Sequence, residues 1–378
     1  MISELTIRNF KIHKKLDLTL KNLTVLAGYN SAGKSSVIQS LLLLRQNKLE
    51  GNICKNLNLK GSLCQVGLCK NAVCFYAGDI VSLGFKAKEN HVIWHYDMSD
   101  GAAEKSFASC SGFEGDVDIK ENLFGREFQY ISVGRWAPCE SYPFDSKAIE
   151  EQKQLSQQYG QCELTPHFLF RYGIEKPISV PQELWCEGCE DANLLKQVSA
   201  WEQKISSSIN VKPRPNGQSF QLDYTYDTPS GESEPYPAVN VGSGISFVLP
   251  IITALLCTAK DGMVIIENPE AHLHPHGQAE LAKLIAKAAR YGLQVIVETH
   301  SDYILNGILI ACKEHLNSDG ANGINPNDVT MYQFVKDEAS QLSEAIPIRL
   351  GEAGNITNQP RGFFDQMEND MNVLLNLD

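Results

Sequence analysis

The chain has 378 residues, 43% of them hydrophobic, with a net charge of −12 and a pI near 5.3; that is enough apolar material for a large core, and the wrong sign for a protein coated in basic surface for indiscriminate nucleic-acid binding. The longest apolar run, residues 247–257, is broken by Pro250 and is too short to span a bilayer, while residues 1–10 alternate like a strand and unlike a signal peptide, so a soluble, cytoplasmic protein without membrane association is expected. The 11 cysteines are scattered and only Cys186 and Cys189 form a CxxC, with no second pair at zinc spacing, which reads as reduced thiols.

Residues 2–9 and 16–20 alternate, and residues 23–27 form a short apolar run ending in glycine, so three strands open the chain. Between the first two lies a small basic cluster, Lys11, His13, Lys14 and Lys15, read as a solvated hairpin end, with DNA or RNA contact left open. A helix follows over residues 34–46, strongly apolar and free of glycine and proline. Residues 57–133 are rich in short β-type runs (72–76, 80–87 and 91–96), which predicts an antiparallel β layer. Prolines and polar residues multiply over 138–237, where helices are expected at 147–158 and 192–207; without sustained heptads there is no long coiled-coil arm. An α/β order then returns: helix 246–258, strand 263–267, helix 276–290, strand 293–298, helix 302–315, strands 329–335 and 345–350, and a helix at 363–375. The expected division is therefore a core split into residues 1–56 and 239–378, a β layer at 57–137 and an inserted, partly helical lid at 138–238.

Gly28-Tyr29-Asn30-Ser31-Ala32-Gly33-Lys34-Ser35 fits GxxxxGKS between a strand and a helix. The glycines let backbone N–H groups from Gly28 through Ser36 converge on phosphate oxygens, and the helix points its positive end at them. Lys34 is expected on the β- and γ-phosphates of ATP, and the Ser35 hydroxyl on Mg²⁺. Strand 263–267 ends in Glu267, the way such folds deliver a metal-side acid. The next residue, where a glutamate would orient the attacking water, is Asn268, which cannot accept a proton. Glu270 is the nearest substitute, and three outcomes stay open: slow hydrolysis assisted by Glu270, hydrolysis by positioning alone, or binding without useful turnover.

Strand 293–298 leads into Glu298-Thr299-His300-Ser301, which sets His300 at the rim where a γ-phosphate would lie. His272, His274 and His276 lack accompanying acids or cysteines at metal spacing and read as a loop near the nucleotide. Gly242-Ser243-Gly244-Ile245-Ser246 opens another helix and offers a second anion-binding terminus; whether Ser243 or Ser246 reaches phosphate is open.

Together GYNSAGKSS, NVGSGISFVLP, IIENPEAHLHP and VIVETHSDYIL resemble the ABC-like AAA ATPases related to the SMC and OLD proteins, and most nearly the prokaryotic stand-alone members that carry a C-terminal domain of unknown function. The LLLLRQ helix, the ISVGRWAP segment and the final PRGFFDQ stretch share in the resemblance, which covers nearly the whole chain. It implies an α/β P-loop NTPase of ABC-ATPase type: a mixed β-sheet core, an antiparallel β layer and an inserted lid. It also implies a homodimer, or a higher oligomer built on dimers, that sandwiches two ATP molecules with Mg²⁺. In it Ser243 and Gly244 act across the interface and His300 is the switch histidine. Glutamate followed by Gln or Asn is familiar in such relatives at the acidic strand. Many are encoded beside nucleases, toxins or other effectors in anti-phage defence. The segment after Ser301 is too short for the Toprim nuclease of OLD proteins, and Asp365, Glu368 and Asp370 read as the solvated face of a terminal helix, so no nuclease activity is expected from this chain.

Overall fold

The computed structural model describes all residues except 76, 100, 352, 353, 359, 361, 362, 365 and 376–378, and of residues 366–369 it describes the backbone only. Asp365 and Glu368 of the acidic terminal trio, and Arg361, Gly362 and Asp365 of the PRGFFDQ stretch, thus lie outside the described residues or side chains.

β1 (Glu4–Phe10) and β2 (His13–Thr19) form a hairpin whose register runs from Glu4↔Thr19 to Phe10↔His13. Alternation drives Leu5 and Ile7 of β1 and Leu16 and Leu18 of β2 inward. β3 (Leu23–Gly28) is apolar on both faces, as a strand flanked by parallel neighbours requires. α1 (Lys34–Leu49) is buried on nearly every side, including Arg45, Gln46 and Asn47. β4 (Asn56–Asn58), the short helix α2 (Cys69–Ala72), β5 (Ile80–Ala87), β6 (Asn90–Asp97) and β7 (Phe107–Gly115) follow. Over residues 72–75, the described part of the expected strand 72–76, α2 occupies the first position and the bridge Phe10↔Val73 is the β pairing that remains.

The antiparallel layer is a six-stranded sheet in the order β2-β1-β5-β6-β7-β4. It takes its first two strands from before residue 57, while β8 (Phe128–Ile131) leaves it for the central sheet. β9 (Tyr142–Pro143) comes next. The helix expected over 147–158 shrinks to one π-helical turn, Lys147–Glu151, because Lys153 adopts left-handed backbone that no helix continues through. α3 (Thr165–Phe170) and α4 (Leu194–Ile205) follow; Asn193 caps α4 by accepting from the Leu195 and Lys196 N–H groups. β10 (Ile209–Asn216) and β11 (Ser219–Thr228) pair as a hairpin, with the two-residue strands β12 (Gly231–Glu232) and β13 (Tyr236–Pro237) alongside β11.

The second half alternates: α5 (Ser243–Cys257), β14 (Met263–Glu267), α6 (Pro275–Tyr291), β15 (Gln294–Glu298), α7 (Asp302–Asn317), β16 (Val329–Lys336), β17 (Ser343–Ile348) and α8 (Gln366–Leu375). The central sheet runs β17-β16-β3-β15-β14-β8, parallel except for β17. Alternate residues of its middle strands serve two cores. Leu26, Ile265 and Ile296 pack toward α1 and the antiparallel layer, whereas Val25, Val264, Ile266 and Val297 pack toward α5, α6 and α7. Residues 138–238 join the second of these cores through Phe168, Val198, Trp201 and Tyr224, so the inserted region is fused to the sheet by continuous apolar packing and does not hang free as a flap. Among the described residues no helix is long and apolar enough to cross a membrane.

That fused core contains one unpaired acid. Glu202 on α4 is 0% exposed and neither carboxyl oxygen has a hydrogen-bond partner. Burial therefore drives its pKa well above the ordinary carboxylate value. The folded state holds the proton more tightly than the unfolded chain, whose carboxyl titrates near about 4.3. Stability is then lost as pH rises above that value. Glu202→Met is expected to raise unfolding free energy by about 1–3 kcal/mol at pH 8, where the cost of holding the carboxyl protonated adds to that of burying it unpaired. Its advantage should shrink toward pH 4, which urea titrations at the two pH values would show.

Candidate nucleotide site

In an open sheet with parallel strands, ligands gather beyond the carboxyl ends of the strands. Here β3, β15 and β14 end side by side, with Glu267 opposite Glu298 and Glu298 opposite Leu26. A cavity of about 320 Å³ opens over these ends, lined by Lys11, Ile12, the turn from Asn30 to Ser36, Val133, Glu267, Asn268, Glu298 and His300. A larger groove of about 1290 Å³ lies elsewhere, among α4, α6 and α7, and includes none of these residues.

The turn between β3 and α1 depends on two glycines in conformations closed to L side chains, Gly28 at φ 122° and Gly33 at φ 103°. A Cβ on Gly28 would strike the backbone carbonyl of Phe334 on β16, and one on Gly33 would lie 2.6 Å from the His13 ring. Gly33 is also the N-terminal cap of α1, so the first N–H groups of that helix face the cavity unpaired by any capping side chain. Lys34, only 3% exposed, folds back over the turn, and its ammonium donates to the Gly28 carbonyl at 2.9 Å and the Tyr29 carbonyl at 2.7 Å. Burial lowers its pKa while the charges of Glu298 and Glu270 raise it.

Two carboxylates stand at the floor. Glu267 accepts from the Tyr130 hydroxyl and from the Val133 N–H, each at 3.0 Å. Burial pushes its pKa up and those two hydrogen bonds pull it back. The Arg135 guanidinium staples the region together, donating to the carbonyls of Ser132 at 2.8 Å, Glu267 at 2.7 Å and Asn268 at 2.8 Å. Glu298 accepts from the Ser35 hydroxyl at 2.9 Å. Burial first, and then the neighbouring charge of Glu267, push Glu298 up to about 7.

Asn268 takes the left-handed conformation at φ 44°, which asparagine tolerates better than most residues, and its N–H donates to the Glu298 carbonyl at 2.8 Å. Glu270 does not line the cavity. Its carboxylate accepts from the Thr299 hydroxyl at 2.8 Å and the His300 N–H at 2.7 Å, so both oxygens are committed to holding the end of β15. Burial and the Lys34 charge lower the His300 imidazole, opposed by the Glu270 charge and a hydrogen bond to the Gly28 backbone.

Other expected site residues lie elsewhere. Ser243 and Gly244 begin α5, where Gly244 packs against the His272 carbonyl, and neither lines this cavity. His272 stacks on Phe247 with ring centroids 4.3 Å apart, while His274 accepts from the His276 N–H at the start of α6. The basic cluster near the N-terminus is not one surface. His13 is buried beneath the turn with Nε2 3.0 Å from the Gly33 carbonyl oxygen, Lys11 lines the cavity, and only Lys14 and Lys15 are exposed.

Sequence reasoning singled out Glu267 and His300 but passed over Glu298, Tyr130 and Arg135, and read the buried His13 as part of a solvated hairpin end. For Glu298 a signal existed: residues 294–298, like 263–267, form an apolar strand ending in a carboxylate. Tyr130, Arg135 and His13 make contacts too distant in sequence for any periodicity to reveal.

Comparison with known proteins agrees with this geometry. Residues 189–306 match the family described as "AAA domain, putative AbiEii toxin, Type IV TA system", residues 1–94 match an AAA ATPase domain family, and residues 324–374 match a family of unknown function, DUF3696. No curated protein matches the chain. Among solved structures, an SMC head bound to the C-terminal winged-helix domain of ScpA aligns over 92% of this chain and 98% of its own, at 10% identity and a TM-score of 0.54. An SMC head with an extended coiled coil, bound to the C-terminal domain of ScpA derived from Pyrococcus furiosus, aligns over 100% and 99% at 11% identity and a TM-score of 0.50. The likeness to these structures is one of fold, and the matched ATPase domains carry the phosphate turn at one end and the strands bearing Glu267 and Glu298 at the other. Matches to two AAA ATPase domain families, together with the fold of an SMC head, support an ABC-like AAA ATPase of SMC/OLD type.

Proposed function

We propose that the protein is an ATP-gated dimeric switch: ATP with Mg²⁺ binds over the carboxyl ends of β3, β15 and β14, a second copy closes on it, and the closed state is read by a partner effector. The observation that carries this reading is the half-built character of the site. One protomer supplies the amide-lined turn, Lys34, Ser35, Glu267 and His300, yet nothing of α5 lines its cavity. The start of α5 is free to serve another copy, since Ser243 is exposed and the helix has no capping side chain. Ser243 and Gly244 would then complete the phosphate contacts in trans. SMC heads, which share this fold, are seen bound to a partner protein, ScpA; by analogy, an effector such as a nuclease or toxin would sense the closed form of this chain in anti-phage defence.

Light scattering should show the molar mass doubling when a non-hydrolysable ATP analogue and Mg²⁺ are added. Ser243→Arg should remain monomeric under the same conditions. An unchanged mass for the wild type at saturating nucleotide would contradict the switch.

A second reading has its own support. Asn268 carries no base, and Glu270 is tied to Thr299 and His300. A scaffold that binds ATP without turnover fits both facts, and phosphate release no faster than in protein-free buffer would favour it.

A further inference from the structure

The geometry points to Glu298, at the end of β15, as a Mg²⁺-side carboxylate of this site, alongside Ser35 and with Glu267 behind them. The inference rests on the reading that ATP and Mg²⁺ bind at the β3–α1 turn, and it concerns which of the chain's residues meet the metal.

Three observations separate the two glutamates. First, the hydroxyl that a P-loop presents to Mg²⁺ is that of Ser35, and it donates to Glu298 Oε1 at 2.9 Å; no such bond joins Ser35 to Glu267. Second, each Glu267 oxygen is occupied by a protein donor, Tyr130 on one and the Val133 N–H on the other. Third, Glu298 Oε2 has no hydrogen-bond partner although the residue is only 5% exposed and lines the cavity. A buried, unpartnered carboxylate oxygen is costly unless something fills its lone pairs. A hard divalent cation takes oxygen ligands of this kind, typically one or two carboxylates together with phosphate oxygens and water.

The topology supplies the reason for the position. β15 lies between β3, which carries the turn, and β14, which carries Glu267. A carboxylate at the end of β15 is therefore nearer the root of α1 than one at the end of β14. Glu267, fixed by Tyr130 and Val133, sits one strand further out, where its charge bears on Glu298 across the strand ends. Mg²⁺ bound there would supply charge neutralisation for the phosphates. Ser35 and Glu298 would hold it, and Glu267 would raise the local negative potential.

Titrating ATP calorimetrically in EDTA and then in excess Mg²⁺ tests this with binding alone. The wild type should bind in both, and more tightly with Mg²⁺. Glu298→Gln, which keeps the shape and can still accept from Ser35, should bind ATP in EDTA at least as well as the wild type. It should lose about 10- to 100-fold of the Mg²⁺ enhancement, the usual cost of altering a metal's supporting carboxylate. Glu298→Asp, keeping the charge, should recover part of it, and melting curves with ATP in EDTA confirm that both variants are folded. Full Mg²⁺ enhancement in Glu298→Gln would overturn the assignment. Absence of ATP binding by the folded wild type in either medium would instead remove the phosphate site on which it rests.

Discussion

Lys34→Ala is expected to reduce ATP affinity by about 10- to 150-fold, the equivalent of losing charge-assisted hydrogen bonds of roughly 1.5–3 kcal/mol. The side chain is preset for the task. It is buried over the turn and satisfied by the carbonyls of Gly28 and Tyr29, so arrival of a triphosphate exchanges two neutral acceptors for charged ones. Truncation also removes the ammonium donor from those two carbonyls, so a small drop in melting temperature without nucleotide should accompany the lost affinity. Fluorescent ATP titration against the wild type makes the measurement, and unchanged affinity would refute the placement of the phosphates.

Gly28→Ala should destabilise the fold itself, by at least about 3 kcal/mol, because it combines a strained backbone with a clash against rigid backbone atoms. At φ 122° an L side chain is strained before contacts are considered, and the new methyl would run into the Phe334 carbonyl. β3 and β16 are hydrogen-bonded neighbours with Gly28 paired to Phe334, so relief requires the central sheet to part. Gly217→Ala makes the matching control. That glycine is also left-handed, at φ 61°, but has nothing within 4 Å of the new methyl. It should cost about 1 kcal/mol, the local strain alone. Urea denaturation of the pair would separate strain from collision, and equal losses would contradict the argument.

The local pieces of the candidate site were legible in short stretches of the chain. The turn from Gly28 to Ser35, the carboxylate at the end of residues 263–267 and the histidine after residues 294–298 are each read from one short segment, and the α/β class followed from the order of those segments. What stayed illegible was lateral order. Nothing in residues 128–131 says that they join β14 rather than the antiparallel layer, and nothing in residues 4–19 says that they join that layer. The consequence for the site was direct. Once β15 is known to lie between β3 and β14, Glu298 becomes the carboxylate that meets Ser35, and both oxygens of Glu270 are engaged at the end of β15. The failed helix at 147–158 has a smaller cause, the left-handed Lys153, whose side chain gives no warning of it.

The clasp between the phosphate turn and the far end of the chain bears on how the protein is made. β3 is flanked by β15 and β16, and the Ser343 hydroxyl of β17 donates to the Ala32 carbonyl within the turn. A ribosome delivering residues 1–56 has therefore supplied the loop's sequence without the walls that hold its shape. Pairings between such distant segments close slowly. A nucleotide held at this turn would therefore find its complete walls only once β15, β16 and β17 have emerged and paired.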